Sequence, residues 1–212
     1  MDKKLSLQPV KIDFNLLSPY IGEKQTDIHY NGHYMKYINN FNKYLTTDKH
    51  VIQTYNELAK TYDTTQFRNK LLLTITETND NTSDLYHNVA QIFNHELYWN
   101  SLTDINKSLY ALCTYKNKLF KSDKDLTNFY NDYIDKGTKL FGSGWLWIIT
   151  SNNNNKLELI TTSDAIIPLT HNFIAVIDLW EHAYYIDYLS ERKKYLEKTF
   201  KIIDWEKIYN KL

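Results

Sequence analysis

The sequence predicts an α+β fold, with a helical first half and a second half in which helices flank a small antiparallel sheet of three strands. Three observations predict it. Apolar side chains recur at helical spacing through the first half; two β-rich runs, "WLWIIT" and "KLELITT", lie either side of a polar turn; and a mostly apolar run, "FIAVIDLW", follows as a third strand.

The first strong element is "IHYNGHYMKYINNFNKYL", where Ile28, Tyr34, Met35, Ile38, Phe41 and Leu45 fall near helical spacing. "TYNELAKTYDTTQFRNKLLLTI" follows as a looser helical stretch. "DLYHNVAQIFNHELYWNSL" is a second strong helix, with Val89, Ile92, Phe93 and Tyr98 at mixed three- and four-residue spacings. Thr103–Asn106 reads as the joint, dividing the chain into a helical domain, 1–104, and an α+β domain, 105–212. Beyond it, "KDLTNFYNDYIDKGTKLFG" is a helix stopped where Gly142 and Gly144 break the pattern. The polar "SNNNN" makes the two β-rich runs a hairpin, and from Tyr184 the chain returns to helix.

Composition excludes several classes. The chain has 212 residues, 42% of them hydrophobic, enough for a sizeable core. Formal net charge is zero, with none of the basic excess of a nucleic-acid binder. No apolar run approaches the roughly 20 residues of a membrane span. The opening "MDKKLSLQPVKIDF" lacks the apolar core of a signal peptide, carries acids early and has no arginine, so the expected compartment is cytoplasmic. A single cysteine, Cys113, leaves no internal disulfide framework and no Cys-rich zinc site; it is expected to be a buried small hydrophobe.

Three groups of polar residues carry chemistry. His29, His33 and Tyr37 stand four apart, on one stripe of a helix turning about 3.6 residues at a time. Gln91, His95 and Trp99 repeat the spacing on the second strong helix. Asp178 and His182 form the third group, in "DLWEHAYYIDY" at the end of the apolar strand, where a side chain can be held rigidly at the rim of a core. Each group alone reads as readily as a satisfied structural histidine, a chance pair or a local polar contact. Together they offer imidazoles and a carboxylate without thiolate, a borderline-to-hard set suited to iron, manganese or zinc. Aromatics beside every group would exclude bulk water.

"IHYNGHYMKYINN", "AQIFNHELYWNSL", "FGSGWLW" and "DLWEHAYYIDY" resemble, in order and approximate spacing, the four signature stretches of the iron/manganese superoxide dismutases. Weaker similarity runs from "LSPYIG" to "IIDWEKI". The resemblance implies an N-terminal α-hairpin domain followed by an α+β domain with a three-stranded antiparallel sheet. It implies one redox-active ion per chain, iron with manganese possible, held by His29, His95, Asp178 and His182, with superoxide as substrate and a homodimer as the assembly. By the same resemblance His33 and Tyr37 line the substrate funnel, while Trp99, Trp145, Trp147 and Trp180 form an aromatic shell. Glu181 reaches the partner's metal-bound histidine, and Tyr185 bonds the partner's funnel histidine, here His33. Iron-type relatives place a glutamine four residues before the second ligand histidine, and manganese-type relatives place it in the sheet hairpin. Here Gln91 fills the first place and Ala165 the second, as in the iron type. Two positions depart from the pattern: Tyr34 stands where a second histidine is frequent, and Asp164 where asparagine is common.

Two other functions compete. An inactive structural or interaction protein could keep the same fold, but such a chain is expected to lose ligands, and all four are present. A zinc hydrolase would need an acid placed as general base beside bound water, and Glu181 is the near candidate.

Overall fold

The computed structural model describes residues 5–151 and 156–212, without the side chains of 64 and 65. By internal contact the chain divides into two compact units. One holds Tyr30–Glu96 with the segment up to Lys11; the other holds Ile12–His29 and Leu97–Leu212.

In the first unit, α2 (Met35–Thr47), α3 (Lys49–Thr61), α4 (Thr64–Thr78) and most of α5 (Asp84–Asn100) supply the helices. Ile38, Phe41 and Leu45 form the buried stripe of α2, and Val89, Ile92 and Phe93 that of α5. The looser stretch between them forms two helices, α3 and α4. Asp48 caps α3 through the His50 and Val51 amides, and the Asp63 side chain takes the Gln66 amide at 3.0 Å, opening α4. Asn40 of α2 donates to Asn88 of α5 at 3.0 Å.

The same unit holds its N-terminal segment by side chains. The Leu7 amide donates to Asn42 Oδ1 at 2.7 Å, and Asn42 Nδ2 returns a bond to the Leu7 carbonyl at 3.1 Å. The Val10 amide donates to the Tyr34 hydroxyl at 3.0 Å, and Arg68 Nη1 to the Gln8 carbonyl at 2.6 Å.

The second unit begins with α1 (Glu23–Ile28) and, after Leu97, adds α6 (Ile105–Leu119) and α7 (Asp123–Lys139). Asp104 caps α6 through the Asn106 and Lys107 amides, and Ser122 caps α7 through the Asp125 amide. The strands are β1 (Gly144–Thr150), β2 (Leu157–Ser163) and β3 (Asn172–Asp178), in the order β2-β1-β3 with both pairs antiparallel. The hairpin turn expected at 151–155 lies, for 152–155, outside the described residues. β1 is buried along its whole length, as the central strand must be, and α7 packs on β1 and β2.

Two glycines set up this sheet. Gly142 adopts φ +77°, a left-handed turn after α7 that favours glycine. A Cβ on Gly144 would fall 2.1 Å from the Thr162 carbonyl oxygen, so only glycine allows β1 so close to β2.

Three expectations change. The helical "IHYNGHYMKYINN" stretch is interrupted by a π-helical turn, His29–Tyr34, between α1 and α2. The wider winding makes the stripe of His29, His33 and Tyr37 less regular than a uniform α-helix would, and such turns recur at functional sites. The tail is not one helix but short pieces: α8 (Tyr185–Tyr188), α9 (Arg192–Thr199) and α10 (Trp205–Asn210), with single 3₁₀ turns among them. Cys113 is exposed, not buried. The buried face of α6 carries Ser108, Ala111 and Leu119, and Cys113, two residues past Ala111, points about 200° away from it.

Candidate metal centre

The four residues of the expected ligand set are placed by a helix, a strand end and two turns. His29 opens the π turn after α1, His95 lies within α5, Asp178 ends β3, and His182 sits in the 3₁₀ turn Glu181–Ala183. β3 pairs with β1 so that Asp178 lies opposite Trp145, and the Leu179 amide donates to the Gly144 carbonyl at 2.9 Å. That pairing fixes where the Asp178 carboxylate stands.

Each of the four side chains offers one ligand atom, and all four atoms lie within 4.8 Å of one another. His29 Nε2 is 3.1 Å from Asp178 Oδ2, and His182 Nε2 is 3.6 Å from the same oxygen. Ligands at right angles on one ion with bonds of about 2.1 Å stand about 3 Å apart, and ligands on opposite sides about 4.2 Å. The 3.1 and 3.6 Å separations from Asp178 Oδ2 fall in that range. The donors, three imidazole nitrogens and one carboxylate oxygen, suit a first-row ion such as iron, manganese or zinc.

Neighbouring groups orient each ligand. His95 Nδ1 lies 2.6 Å from the Gln91 backbone carbonyl, which can only accept, so Nδ1 carries the proton and Nε2 is left with its lone pair. Asp178 Oδ1 accepts the Trp180 amide at 2.8 Å, leaving Oδ2 toward the histidines. Rings of Tyr98 and Trp99 lie 5.6 and 5.5 Å from that of His29, and Trp180 lies 5.4 Å from His182. His29, His95 and Asp178 are buried.

Electrostatics favour the metal-binding protonation states. Burial holds the His29 imidazole below its ordinary range, against its hydrogen bond to Asp178, which would raise it. For Asp178 burial opposes ionisation, but the bonds and charges of His182 and His29 prevail and hold the carboxyl well below the usual range. A neutral imidazole and an ionised carboxylate are the forms that ligate.

Other expected residues fall nearby or apart. The Tyr37 ring is 5.4 Å from that of His95, and both Tyr37 and His33 are half-buried. Gln91 is buried, and its side-chain Oε1 has no hydrogen-bond partner among the described residues. Trp145 and Trp147 are fully buried, and Trp147 Nε1 donates to Thr162 at 2.8 Å. Ala165 is buried. Asp164 has φ +52°, a conformation that asparagine and aspartate tolerate best, and its carbonyl accepts from Trp180 Nε1 at 3.3 Å. Glu181 and Tyr185 are exposed. Gln25, unremarked in the sequence, is fully buried and bonded to the His182 backbone. The sequence shows only a glutamine four residues before His29, and its partner His182 lies 157 residues on.

A compact three-histidine, one-aspartate cluster in an α+β fold is able to hold one metal ion, as a mononuclear metalloenzyme does. The α-hairpin domain of the iron/manganese superoxide dismutases matches residues 4–103, and the C-terminal domain of the same family matches 113–211. The iron superoxide dismutase of Plasmodium falciparum is 32% identical over 205 residues, 95% of this chain and 92% of its own length. The chloroplastic iron superoxide dismutase 3 of Arabidopsis thaliana is 31% identical, over 95% of this chain and 72% of its own. That of Campylobacter jejuni is 29% identical, over 94% and 86% respectively. The chain belongs to the iron/manganese superoxide dismutase family. It is an oxidoreductase acting on superoxide.

Proposed function

We propose that the chain disproportionates superoxide with one iron ion held by His29, His95, Asp178 and His182, manganese being the possible substitute. The observation that carries this reading is the convergence of those four ligand atoms within 4.8 Å. The relatives named as iron enzymes support iron, as does the pairing of a buried Gln91 with an Ala165 that offers no amide. The bound ion supplies the reversible one-electron change that 2 O₂•⁻ + 2 H⁺ → O₂ + H₂O₂ requires.

The residues supply the rest. Asp178 contributes the one negative charge of the set, so three neutral imidazoles and one carboxylate leave a divalent or trivalent ion net positive toward an incoming anion. The buried Gln91 amide, whose oxygen has no partner among the described residues, would in this reading bond solvent at the site and bias which protonation state of that solvent is favoured. Tyr37 and His33, half-buried, line the approach and hold protons for the peroxide. Trp99 and Trp145, both buried, keep bulk water out.

The assembly in this reading is a homodimer. Tyr185, Ile186 and Leu189 expose 46, 41 and 62% of their surface along and just after α8, and Phe141 exposes 98%. The exposed apolar residues of α8 support an interface there in this reading. Glu181, exposed beside it, is the group that reaches the partner. Glu181→Ala is expected to raise the dimer dissociation constant by about 10-fold or more, the cost of a charge-assisted bond; unaltered sedimentation would remove Glu181 from the interface. The domain division at 104/105 belongs to the same reading and falls between the two family matches. So does a cytoplasmic location, which cell fractionation tests. Among the described residues no helix is long and apolar enough to cross a membrane.

The deciding experiment is metal analysis and superoxide consumption on purified protein beside His182→Ala. Wild type should carry about one ion per chain and consume superoxide, and the variant should lose both. Full metal without activity would favour an inactive structural protein. Native zinc, with no redox activity after iron or manganese loading, would favour a hydrolase.

A further inference from the structure

Gln25 lies in α1, one turn before His29, and is fully buried. Both ends of its side-chain amide are used. Nε2 donates to the backbone carbonyl of His182 at 2.6 Å, and Oε1 accepts the amide of Ile186 at 3.0 Å. The second bond falls on the first turn of α8, where amides lack intrahelical partners, so Gln25 caps that helix from outside. The first holds the turn that carries His182. One side chain therefore joins the helix that delivers His29 to the segment that delivers His182.

We propose that Gln25 is a positioning residue that sets the reach of the His182 imidazole toward the ion by clamping the His182 carbonyl and the Ile186 amide to the helix leading into His29. The proposal rests on the ligand assignment above. A metal ligand placed at a 3₁₀ turn, rather than within a long helix or strand, has little intrinsic rigidity, and an orienting partner normally makes up the difference. Two other ties join the same segments: the Gly22 amide donates to Asp187 Oδ2 at 2.6 Å, and the Tyr188 hydroxyl donates to the Tyr20 carbonyl. The Gly22 tie is exposed and grips the chain beyond His182. Gln25 alone among the three bonds the ligand's own peptide.

A glutamate in the same place keeps an acceptor for Ile186 but sets a carboxylate against the His182 carbonyl, and a methionine of similar length removes both bonds. The peptide that orients His182 then drifts in either variant.

The test uses iron-loaded protein, with the rate of iron loss to a chelator and the ferric electron paramagnetic resonance spectrum as readouts. Gln25→Met and Gln25→Glu should lose iron about 10- to 100-fold faster than wild type, the usual cost of removing an orienting partner. Both should show an altered ferric line shape. Asp187→Ala, which cuts the exposed tie, should match wild type within about 2-fold on the same scale. Melting of each metal-free variant reports folding, and Gln25→Asn, one methylene short, stands in for any variant that does not fold. A wild-type spectrum and off-rate in the Gln25 variants would overturn the proposal. So would equal changes in Asp187→Ala, which would make the effect general packing. His182→Ala separates the two claims: if it loses iron while Gln25→Met behaves as wild type, positioning fails and the ligand assignment stands; if it keeps wild-type iron, both fail.

Discussion

Asp178→Asn should give a folded protein that no longer keeps its metal through desalting, with affinity reduced by more than about 100-fold, beyond the usual penalty for an outer partner. Asp178 is fully buried, and its Oδ2 faces His29 Nε2 at 3.1 Å and His182 Nε2 at 3.6 Å. It is the one carboxylate in the set, so its loss leaves a buried cation without a compensating charge. Asparagine can still accept the Trp180 amide with Oδ1, which turns its NH₂ toward the imidazole nitrogens. Those nitrogens then receive hydrogen bonds in place of the ion. Without metal the variant should melt within a few degrees of wild type, because the substitution keeps shape and removes a buried charge. Metal-bound wild type should melt higher than either, since a ligand at about 1,000 times its Kd stabilises the folded state by about 4 kcal/mol. Calorimetry with and without iron, beside metal content by mass spectrometry, checks both parts. One ion per chain at wild-type affinity in Asp178→Asn would remove Asp178 from the set.

What the sequence displayed, and what it hid, follows from which forces leave periodic traces. The buried stripes of α2 and α5, the three strands and the stop at Gly142 were legible because burial repeats at the period of the element that causes it. Asp178 was legible as a strand end because β3 is apolar up to it. α6 was not singled out, because two of its large apolar residues, Leu109 and Tyr110, face solvent at 48 and 75% exposure and blur its pattern. The same solvent-facing half of α6 carries Cys113. The breaks between α3 and α4, and within the tail, are set by single capping groups such as Asp63, which periodicity averages away. The π turn at His29–Tyr34 shows in hydrogen bonding and leaves no mark in residue type. As for the site, spacing proposed three groups, and the resemblance chose four residues among them. Gln25 and Arg68 stayed hidden because each partner is distant in sequence: His182 lies 157 residues from Gln25, and Glu96 lies 28 from Arg68.

That second pair carries the largest expected change in the stability of the metal-free protein. Arg68 Nε donates to Glu96 Oε2 at 2.7 Å, its Nη2 bonds Oε1, and the side chains are only 18 and 11% exposed. The Tyr34 hydroxyl donates to the same Oε1 at 2.7 Å while accepting from Arg68 Nη2 at 3.2 Å and from the Val10 amide at 3.0 Å. Burial, then the nearby Glu96 carboxylate, push the Tyr34 phenol well above its ordinary range, so it stays a donor. Tyr34 closes a three-way network that also ties down the N-terminal segment through Gln8. Removing one charge strands the other in a mostly desolvated place, at about 3 kcal/mol, the lower end for a buried pair since some exposure remains. Arg68→Ala should therefore lower the melting temperature by roughly 6–12 °C at this chain length. Arg68→Met with Glu96→Leu together should recover most of that loss, because a complete apolar replacement leaves no orphaned charge. Tyr34→Phe should fall between them, costing about 1–3 kcal/mol for one buried bonding group. A double-mutant cycle by urea unfolding reads the coupling directly. Additive single losses, with no recovery in the double variant, would mean that Arg68 and Glu96 stabilise the first unit independently and that the network is only a coincidence of position.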